Sequence, residues 1–440
     1  MANDWKKTAR GQALLVLEQV FDEGAFSNIA LNKHLKGSQL SEQDKSLVTE
    51  LVYGTVARKM TLEWLLAHYI EDRDKLQSWV YYLLMLSLYQ LRYLDKVPAH
   101  AVVNSAVEIA KNRGNKKGAD KLVNAVLRRL ATEDLPDSAK IKRVNKRYAI
   151  QYSLPVWLVK KMIDQYGEER AIKIFESLYI RNKASVRVTD PKKLLQIAEA
   201  TGADISVLSE VGLTKPSGAF ATTDNFKKGA LTIQDETSQL VAPAMGIEGH
   251  ERVLDACAAP GGKTVHMASY LTTGKVTALD LYDHKLALIR ENAERLGLSE
   301  RVETLRLDAS QVAQHFPKDH FDKILVDAPC SGIGLIRRKP DIKYNKTLQD
   351  FESLQTIQLE ILSSVCQTLK KGGIMVYSTC TIVSEENQEV VAKFLAKHPN
   401  FEQVPLDHKQ KDIVVEGCLA ITPEQYITDG FFIAKFRRCD

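Results

Sequence analysis

Apolar positions change their spacing along the chain and thereby divide it into three stretches. Over residues 1–145 they recur every three to four residues, as Ala13, Leu17 and Val20 do, which is the spacing of one buried helix face. No sustained alternation of apolar and polar residues, the pattern of a strand, occurs there. We predict an all-helical domain of about six or seven helices, with the strongly apolar run Leu83–Leu94 as its buried central helix.

Residues 146–245 combine short candidate strands with helical segments. Apolar and β-branched residues cluster in Ser185–Thr189, Phe220–Thr222 and Ala230–Gln234, and each cluster is short enough for a strand. Between the first two, Leu194–Thr201 has the spacing of a helix. We therefore predict a small α+β linker module in this stretch.

Residues 246–440 alternate apolar strands with amphipathic helices, which is typical of a parallel sheet covered by helices. The predicted strands are Val253–Ala256, Val276–Asp280, Val302–Asp308, Lys323–Asp327, Gly373–Tyr377 and a late, antiparallel strand near the sheet edge, Gly430–Lys435. The predicted fold class is α/β: a Rossmann-like domain at 246–440, preceded by an all-α domain at 1–145 and the linker module at 146–245.

Composition narrows the class of protein. The chain has 440 residues, of which 45% are hydrophobic and 26% charged, as in globular proteins. Because its first ten residues are polar we expect no signal peptide, and no run of about 18 apolar residues predicts a membrane span. The six cysteines are widely spread without a C-x-x-C pair, so we expect no disulfide framework and no metal site. We expect a cytoplasmic monomer.

Positive charge is concentrated late in the helical stretch. Between residues 111 and 147, twelve basic residues stand against four acids, whereas the whole chain has a net charge of +5. Many such runs are only solvated helix faces, but a local patch on a near-neutral protein is also the footprint of phosphate-backbone contact, which we predict here. This basic patch consists of Lys111, Arg113, Lys116, Lys117, Lys121, Arg128, Arg129, Lys140, Lys142, Arg143, Lys146 and Arg147.

The segment Val253–Thr264 joins a short apolar strand to a helix through a Pro-Gly-Gly turn. Such a turn is the entry to a nucleotide-binding α/β unit, because glycine lets backbone N–H groups approach a ligand closely. The segment is not a phosphate loop of the type G-x-x-x-x-G-K-[ST], because Cys257 stands at its first glycine although Gly262 and Lys263 match its end. The dinucleotide pattern G-x-G-x-x-G is also absent.

Three predicted strands end at aspartates, namely Asp280, Asp308 and Asp327. In an open parallel sheet, ligands bind at the carboxyl ends of the strands. Asp280 follows Gly262 by 18 residues, close to the spacing of about 20 at which an acid contacts a ribose hydroxyl. A lone aspartate here often only caps a helix, but three in successive strands favour a ligand. We predict S-adenosylmethionine, with Asp280 at the ribose, Asp308 at the adenine and Asp327 near the methionine end.

Two cysteines, Cys330 and Cys380, follow the fourth and fifth predicted strands. A lone cysteine is usually a small buried hydrophobe, but two on neighbouring strand-end loops beside Asp327 favour chemistry. Pyrimidine C5 is a poor nucleophile, and a thiolate that adds to C6 turns the ring into an enamine whose C5 attacks an electrophilic methyl group. Such a thiolate needs an electropositive site.

The chain resembles the RNA 5-methylcytosine methyltransferases of the nucleolar-protein/Sun type over essentially its full length. The segments that carry this resemblance are Asp255–Thr264, Asp327–Gly332 and Ser378–Cys380, with the flanking motifs Gln234–Ser238 and Gly430–Phe432. The resemblance implies that Cys380 is the nucleophile on C6 and that Asp327 holds the N3 or amino edge of the cytosine. It further implies that Cys330 assists release, by helping either to remove the C5 proton or to break the covalent adduct. It also implies a cofactor site made of Cys257, Ala258, Ala259, Pro260, Gly261, Gly262, Lys263, Asp280, Asp308 and Asp327.

By the same resemblance, the helical domain is similar to the antitermination factor NusB, and the substrate is small-subunit (16S) ribosomal RNA at a cytosine of the 967 type. The chain departs from the family's usual residues at Ile333, Lys339, Tyr344 and Thr189, which are positions expected to affect substrate contacts.

Three alternatives remain open at this stage. The same chemistry on transfer RNA differs only in the substrate. A non-catalytic NusB-like RNA-binding adaptor is disfavoured by the intact set of aspartates and cysteines. A P-loop nucleotide hydrolase is disfavoured by Cys257.

Overall fold

A computed structural model of the chain describes residues 4–114, 118–216, 218 and 220–439. The chain folds into two compact units, one formed by Met1–Ala171 with Lys339–Asn345 and the other by Ile172–Arg338 with Lys346–Asp440. The three-part division at residues 145 and 245 stays a prediction. Lys116 and Lys117 of the basic patch lie outside the described residues.

The amino-terminal part of the chain is helical, as predicted. Its helices are α1 (Ala9–Phe21), α2 (Ser27–Leu35), α3 (Glu42–Ala57), α4 (Lys59–Leu66), α5 (Ser78–Tyr93), α6 (Ala99–Arg113), α7 (Ala119–Thr132), α8 (Val144–Gln151), α9 (Val156–Tyr166) and α10 (Glu168–Ser177). Helix α3 begins where Ser41 accepts a hydrogen bond from the Asp44 amide, which satisfies one of the free amides of its first turn.

The core of the helical unit is centred on α5. Leu84, Met85, Leu86 and Leu88 of this helix have no exposed surface, and they pack in one cluster with residues of α1, α3 and α7. Each such side chain stabilises the fold by about 1.5–3 kcal/mol relative to an exposed position. The prediction of a buried central helix in the run Leu83–Leu94 is confirmed.

The second unit begins with a small antiparallel sheet in the order β2-β3-β1-β4. Its elements are β1 (Ala184–Val188), α11 (Leu194–Thr201), β2 (Asp204–Ile205), β3 (Gly212–Lys215), α12 (Asp224–Lys227), β4 (Leu231–Ile233) and α13 (Val241–Met245). The predicted strand Phe220–Thr222 is wrong, because these residues form a 3₁₀ turn. The Thr223 hydroxyl donates to the Phe220 carbonyl and caps α12, a local bond that competes with strand pairing.

A larger mixed sheet follows, in the order β11-β12-β13-β9-β8-β5-β6-β7, with β10 paired to β13. The elements are β5 (Arg252–Asp255), α14 (Gly262–Tyr270), β6 (Lys275–Asp280), α15 (Asp283–Arg295), β7 (Val302–Arg306), α16 (Val312–His315), β8 (Phe321–Asp327), α17 (Leu348–Val365), β9 (Leu369–Thr379), α18 (Gln388–Lys397), β10 (Phe401–Gln403), β11 (Val414–Val415), β12 (Cys418–Ile421) and β13 (Phe431–Arg438). Strands β5 to β9 are parallel and β13 is antiparallel, as predicted. The short strands β11 and β12 continue the sheet beyond β13.

Helices cover both faces of the larger sheet. Successive residues of strand β5 pack on opposite faces of the sheet. Leu254 packs with side chains of α16, α17 and α18, whereas Val253 packs with side chains of α13, α14 and α15. This alternation follows from the period of two in a strand. The predicted Rossmann-like fold, preceded by a helical domain, is thereby confirmed.

The segment Lys339–Asn345, which follows β8 in the chain, belongs to the helical unit. Lys343 is almost fully buried, and its ammonium nitrogen lies 2.7 Å from the Ala57 carbonyl oxygen at the end of α3. The Tyr344 hydroxyl lies 3.0 Å from Ser153 Oγ. The tyrosine that departs from the family's usual residue is therefore part of the packing of the helical unit.

No helix among the residues that the structure describes is long and apolar enough to cross a membrane.

Candidate active site

The glycine turn lies at the carboxyl end of β5, in the middle of the parallel strands. Residues 256–261 connect β5 to α14, and the Pro260 carbonyl accepts a hydrogen bond from Asn292 at 2.9 Å. Gly261 has φ +99°, and a Cβ added there would lie 3.0 Å from the Ile289 backbone. A Cβ added to Gly262 would meet no atom within 4 Å, so the space beside the start of α14 is open to a ligand.

Two of the predicted aspartates follow the neighbouring strands. Asp280 ends β6 with its side chain only 10% exposed, and Lys285 lies 3.7 Å from it. Asp308 follows β7, and its Oδ1 accepts hydrogen bonds from the amide and the hydroxyl of Ser310. Asp308 therefore does cap a turn, which the sequence had left as an alternative, although this role does not prevent contact with a ligand.

Asp255, the last residue of β5, is fully buried. Its Oδ2 accepts a hydrogen bond from the Thr264 hydroxyl at 2.7 Å, whereas its Oδ1 has no partner among the described residues. Burial raises the pKa of this carboxyl to about 7. Asp255 thus connects the end of β5 to α14 through Thr264, and it stays largely protonated below neutral pH.

Lys263 forms an ion pair with Asp327. The ammonium nitrogen lies 2.7 Å from Asp327 Oδ2, and the Ser378 hydroxyl donates to Asp327 Oδ1 at 2.7 Å. Burial lowers the pKa of Lys263, but the Asp327 carboxylate outweighs that effect and raises it overall. Lys263 is thus a partly buried, charged lysine whose ammonium is held in an ion pair with Asp327 at the edge of this crevice.

Cys330 and Cys380 meet in this crevice. Their sulfur atoms are 3.1 Å apart, and the Cys380 amide donates to the Cys330 sulfur at 3.3 Å. Strand β8 lies between β5 and β9, which brings the glycine turn and both cysteine loops to one edge of the sheet. The hydrogen bond with Cys380, together with burial, raises the pKa of Cys330 well above its usual value.

Cys257 has different electrostatic surroundings. Burial raises the pKa of its thiol, and the carboxylates of Asp255, Asp327, Asp280 and Asp308 raise it further. The thiol therefore stays protonated near neutral pH and is a poor nucleophile. This agrees with its predicted place in the cofactor loop.

Three buried polar residues of the site were not predicted from the sequence: Gln358, Glu386 and Asn387. They contact the backbone beside Cys330 and Cys380. The run Ser384–Asn387 has the composition of a solvated turn, so only its position after Cys380 could have drawn attention to it.

The residues at the strand ends fit S-adenosylmethionine better than a nucleoside phosphate. The open space at Gly262 admits the backbone approach of a ligand, and Asp280 and Asp308 supply acceptors for hydroxyl and amino groups. A phosphate would require Lys263 as its cation, but that ammonium is neutralised by Asp327. This argues against a nucleotide hydrolase.

A Rossmann-like sheet with this site defines a class of protein, the methyltransferases that use S-adenosylmethionine. Within that class, the model of the 16S rRNA methyltransferase RsmB/F family matches residues 242–437, and the NusB family model matches residues 7–132. The chain belongs to the RsmB/F family and is an RNA methyltransferase with a NusB-like domain.

Curated relatives match over almost the full chain. The probable ribosomal RNA small subunit methyltransferase B of Bacillus subtilis (strain 168) is 43% identical, covering 98% of this chain and 99% of that protein. The corresponding protein of Synechocystis is 32% identical, with 98% and 99% covered. The solved structure of PH0851 has a TM-score of 0.82 at 23% identity and covers 99% of both chains, which shows a shared fold.

The basic patch is partly neutralised within the helical unit. Arg113 forms two hydrogen bonds with the Glu18 carboxylate, and Arg129 pairs with Glu133. By contrast, Lys142, Arg143 and Lys146 around the start of α8 are exposed and have no acidic partner within 4 Å in the described part of the chain. Arg143 and Lys146 border an open, largely apolar groove of about 580 Å³, whose other lining residues include Met60, Val144, Ile150 and Val156.

Proposed function

We propose that this protein methylates C5 of a cytosine in small-subunit ribosomal RNA, of the 967 type, through a covalent adduct between Cys380 and C6. The observation that carries the proposal is the pair of thiols 3.1 Å apart beside the Lys263–Asp327 ion pair. Bound S-adenosylmethionine supplies the electrophilic methyl group. Within this proposal, residues 257–263 together with Asp280, Asp308 and Asp327 hold the cofactor.

Cys380 acts first, as a thiolate that forms the S–C6 bond. The C5=C6 electron pair then makes C5 nucleophilic, and C5 would form its bond to the methyl carbon as the bond between that carbon and the cofactor sulfur breaks, which would leave a neutral thioether. Once the Cys380 sulfur is bonded to C6, its hydrogen bond no longer holds the proton on Cys330, and Cys330 gives that proton to solvent. The Cys330 thiolate then takes the C5 proton, the electrons of that C–H bond restore C5=C6, and the S–C6 bond breaks to regenerate the Cys380 thiolate. Asp327 accepts hydrogen bonds from the cytosine edge, since its carboxylate already faces this crevice through Lys263 and Ser378. The base has to leave its stack to reach Cys380.

The division of labour that we propose follows the predicted domains. The helical domain at 1–145 binds RNA, the module at 146–245 links it to the rest, and the domain at 246–440 carries the chemistry. The exposed cations around the start of α8 contact RNA phosphates. Because the substrate is ribosomal RNA, we place the protein in the cytoplasm, where we expect it to act as a monomer.

The two thiols have different expected phenotypes. Cys380→Ala should lower methyl transfer from labelled cofactor by at least about 10³-fold, because no covalent step remains. Cys330→Ala should accumulate a protein–RNA adduct on a denaturing gel, because release is blocked. The matched control is Cys439→Ala, an exposed cysteine near the carboxyl terminus, which should behave as wild type. Normal turnover by Cys380→Ala would exclude it as the nucleophile, and a missing adduct in Cys330→Ala would exclude the release role.

Bisulfite mapping of RNA from cells with and without the protein tests the substrate. Loss of a single 5-methylcytosine in small-subunit ribosomal RNA supports the proposal. Loss confined to transfer RNA would favour the alternative substrate.

A further inference from the structure

Buried hydrogen bonds hold the two loops that carry Cys330 and Cys380. Cys330 lies between Pro329 and Ser331, and both neighbours are held through their backbone. The Gln358 side chain donates to the Pro329 carbonyl at 3.0 Å, and Glu386 Oε2 accepts from the Ser331 amide at 2.8 Å.

Gln358 and Glu386 also bind each other, with Gln358 Nε2 3.1 Å from Glu386 Oε2. Neither side chain has any exposed surface. A single acceptor oxygen therefore joins α17 to the loop that carries Cys330. Because buried hydrogen bonds of this kind are costly to leave unmade, they restrict the loop to one conformation.

Asn387 holds the other loop. The Thr379 hydroxyl donates to Asn387 Oδ1 at 2.5 Å, and Asn387 Nδ2 donates to the Thr381 carbonyl at 3.0 Å. These two partners flank Cys380. Asn387 thus holds the Thr379 side chain and the Thr381 backbone, on the two sides of the nucleophile.

The reaction sets different demands on the two sulfur atoms. Cys380 must reach C6 in the first stage, whereas Cys330 must lie beside C5 in the last stage. A misplacement of about 1 Å is sufficient to cost about 10²-fold in rate. The two loops therefore need separate supports that hold them in register with each other.

On the basis of the proposed function, we infer that Glu386 and Asn387 are positioning residues for separate stages of the reaction: Glu386, with Gln358, places Cys330 for release, and Asn387 places Cys380 for attack. Glu386 acts on Cys330 through its contacts with Ser331, it also bonds to the Thr381 side chain, and it does not touch the reacting base.

The test compares adduct formation with adduct release, using full-length protein, small-subunit ribosomal RNA and labelled S-adenosylmethionine. Glu386→Ala should form the adduct at a rate within about threefold of wild type and release it about 10- to 100-fold more slowly, so the adduct accumulates. Asn387→Ala should form the adduct about 10- to 100-fold more slowly and should not accumulate it. Glu386→Gln keeps an acceptor oxygen for Ser331 and should restore release.

Three further variants make the test decisive. Gln358→Met should trap the adduct as Glu386→Ala does, and it carries the test if Glu386→Ala fails to bind cofactor. Glu389→Ala, on the half-exposed start of α18 and paired with Lys393, is the matched control and should behave as wild type. In a Cys330→Ala background, Glu386→Ala should slow release no further, because both act through the same thiol.

The outcomes are distinguishable. Suppose that Cys330→Ala traps an adduct and that Glu386→Ala and Gln358→Met bind the cofactor normally. The inference is then overturned if these two variants turn over normally, and equally if they form no adduct. If Cys330→Ala itself traps no adduct, the proposed release role fails first.

Discussion

The protonation of individual residues in this site depends on burial and on their partners more than on the type of amino acid. Asp255 and Asp327 are both aspartates at strand ends, yet Asp327 has an ammonium partner in Lys263 whereas the side-chain partner of Asp255 is the neutral Thr264 hydroxyl. The unpaired carboxyl is the one whose pKa burial raises to about 7. An ionised Asp255 therefore destabilises the fold, and protonation relieves that cost.

A pH-dependent difference in stability follows for Asp255→Asn. In the unfolded chain the carboxyl ionises near pH 4, but in the folded chain it keeps its proton up to about pH 7. Its contribution is thus most favourable below about pH 4 and is lost as the pH rises to 7, by about 4 kcal/mol in total. The melting temperature of Asp255→Asn should rise relative to wild type between pH 5 and pH 8.

Asp322→Asn is the matched control for that measurement. Against the effect of burial, hydrogen bonds from Lys370 and from the Arg252 amide lower the pKa of Asp322. Its ionised form therefore stabilises the fold, and the variant should be less stable than wild type at neutral pH. A constant difference between Asp255→Asn and wild type over the whole range would contradict the assignment.

Among the elements, the segment Pro340–Tyr344 shows how a distant piece of chain completes a helix. The last carbonyl groups of a helix lack partners within it. At the end of α3 the Ala57 carbonyl accepts hydrogen bonds from Lys343 at 2.7 Å and from the Tyr344 hydroxyl at 3.3 Å. Burial lowers the pKa of Lys343 well below its usual value.

Tyr344→Phe removes the hydroxyl that contacts Ala57 and Ser153 but keeps the ring. We expect a loss of about 1 kcal/mol in the free energy of unfolding of the helical unit, or a fall of about 2–4 °C in its melting temperature. Tyr148→Phe is the control, because its hydroxyl bonds to Glu168 at an exposed site and should matter less. A melting temperature of Tyr344→Phe equal to that of wild type would show that the Tyr344 hydroxyl contributes nothing to stability.

At the scale of the whole molecule, the distribution of charge matters more than its total. A net charge of +5 on 440 residues is small, but the exposed cations Lys142, Arg143 and Lys146 are close together in the chain and lack acidic partners within the described residues. Phosphate contacts made by such groups release counterions and weaken steeply with salt.

Reversal of these three charges to Glu should weaken binding of small-subunit ribosomal RNA and reduce the slope of log K against log salt by about 2. Cofactor affinity should not change. Lys411→Glu, whose wild-type side chain pairs with Asp407 outside the patch, is the control and should leave the slope unchanged. Filter binding at several salt concentrations measures both. An unaltered slope in the triple variant would place the RNA contact elsewhere.

Much of the fold was predictable because it follows from the spacing of apolar residues within short segments of the chain. Helical apolar spacing predicted the helical domain, and the alternation of apolar strands with amphipathic helices predicted the parallel sheet. The antiparallel strand β13 was predicted to within a few residues of its observed bounds. The turn at Phe220–Thr222 was mispredicted because its hydrogen bond through Thr223 is side-chain chemistry that apolar spacing does not report.

The sequence by itself determined which residues could meet. Parallel strands bring their carboxyl ends to one edge, so residue order alone placed the glycine turn, the aspartates and the two cysteines together. Only the tertiary structure decided their partners. Lys263 binds Asp327 across 64 residues, and Glu386 is buried beneath Cys330. In sequence a buried charge is indistinguishable from a solvated one, because burial depends on the path of the whole chain.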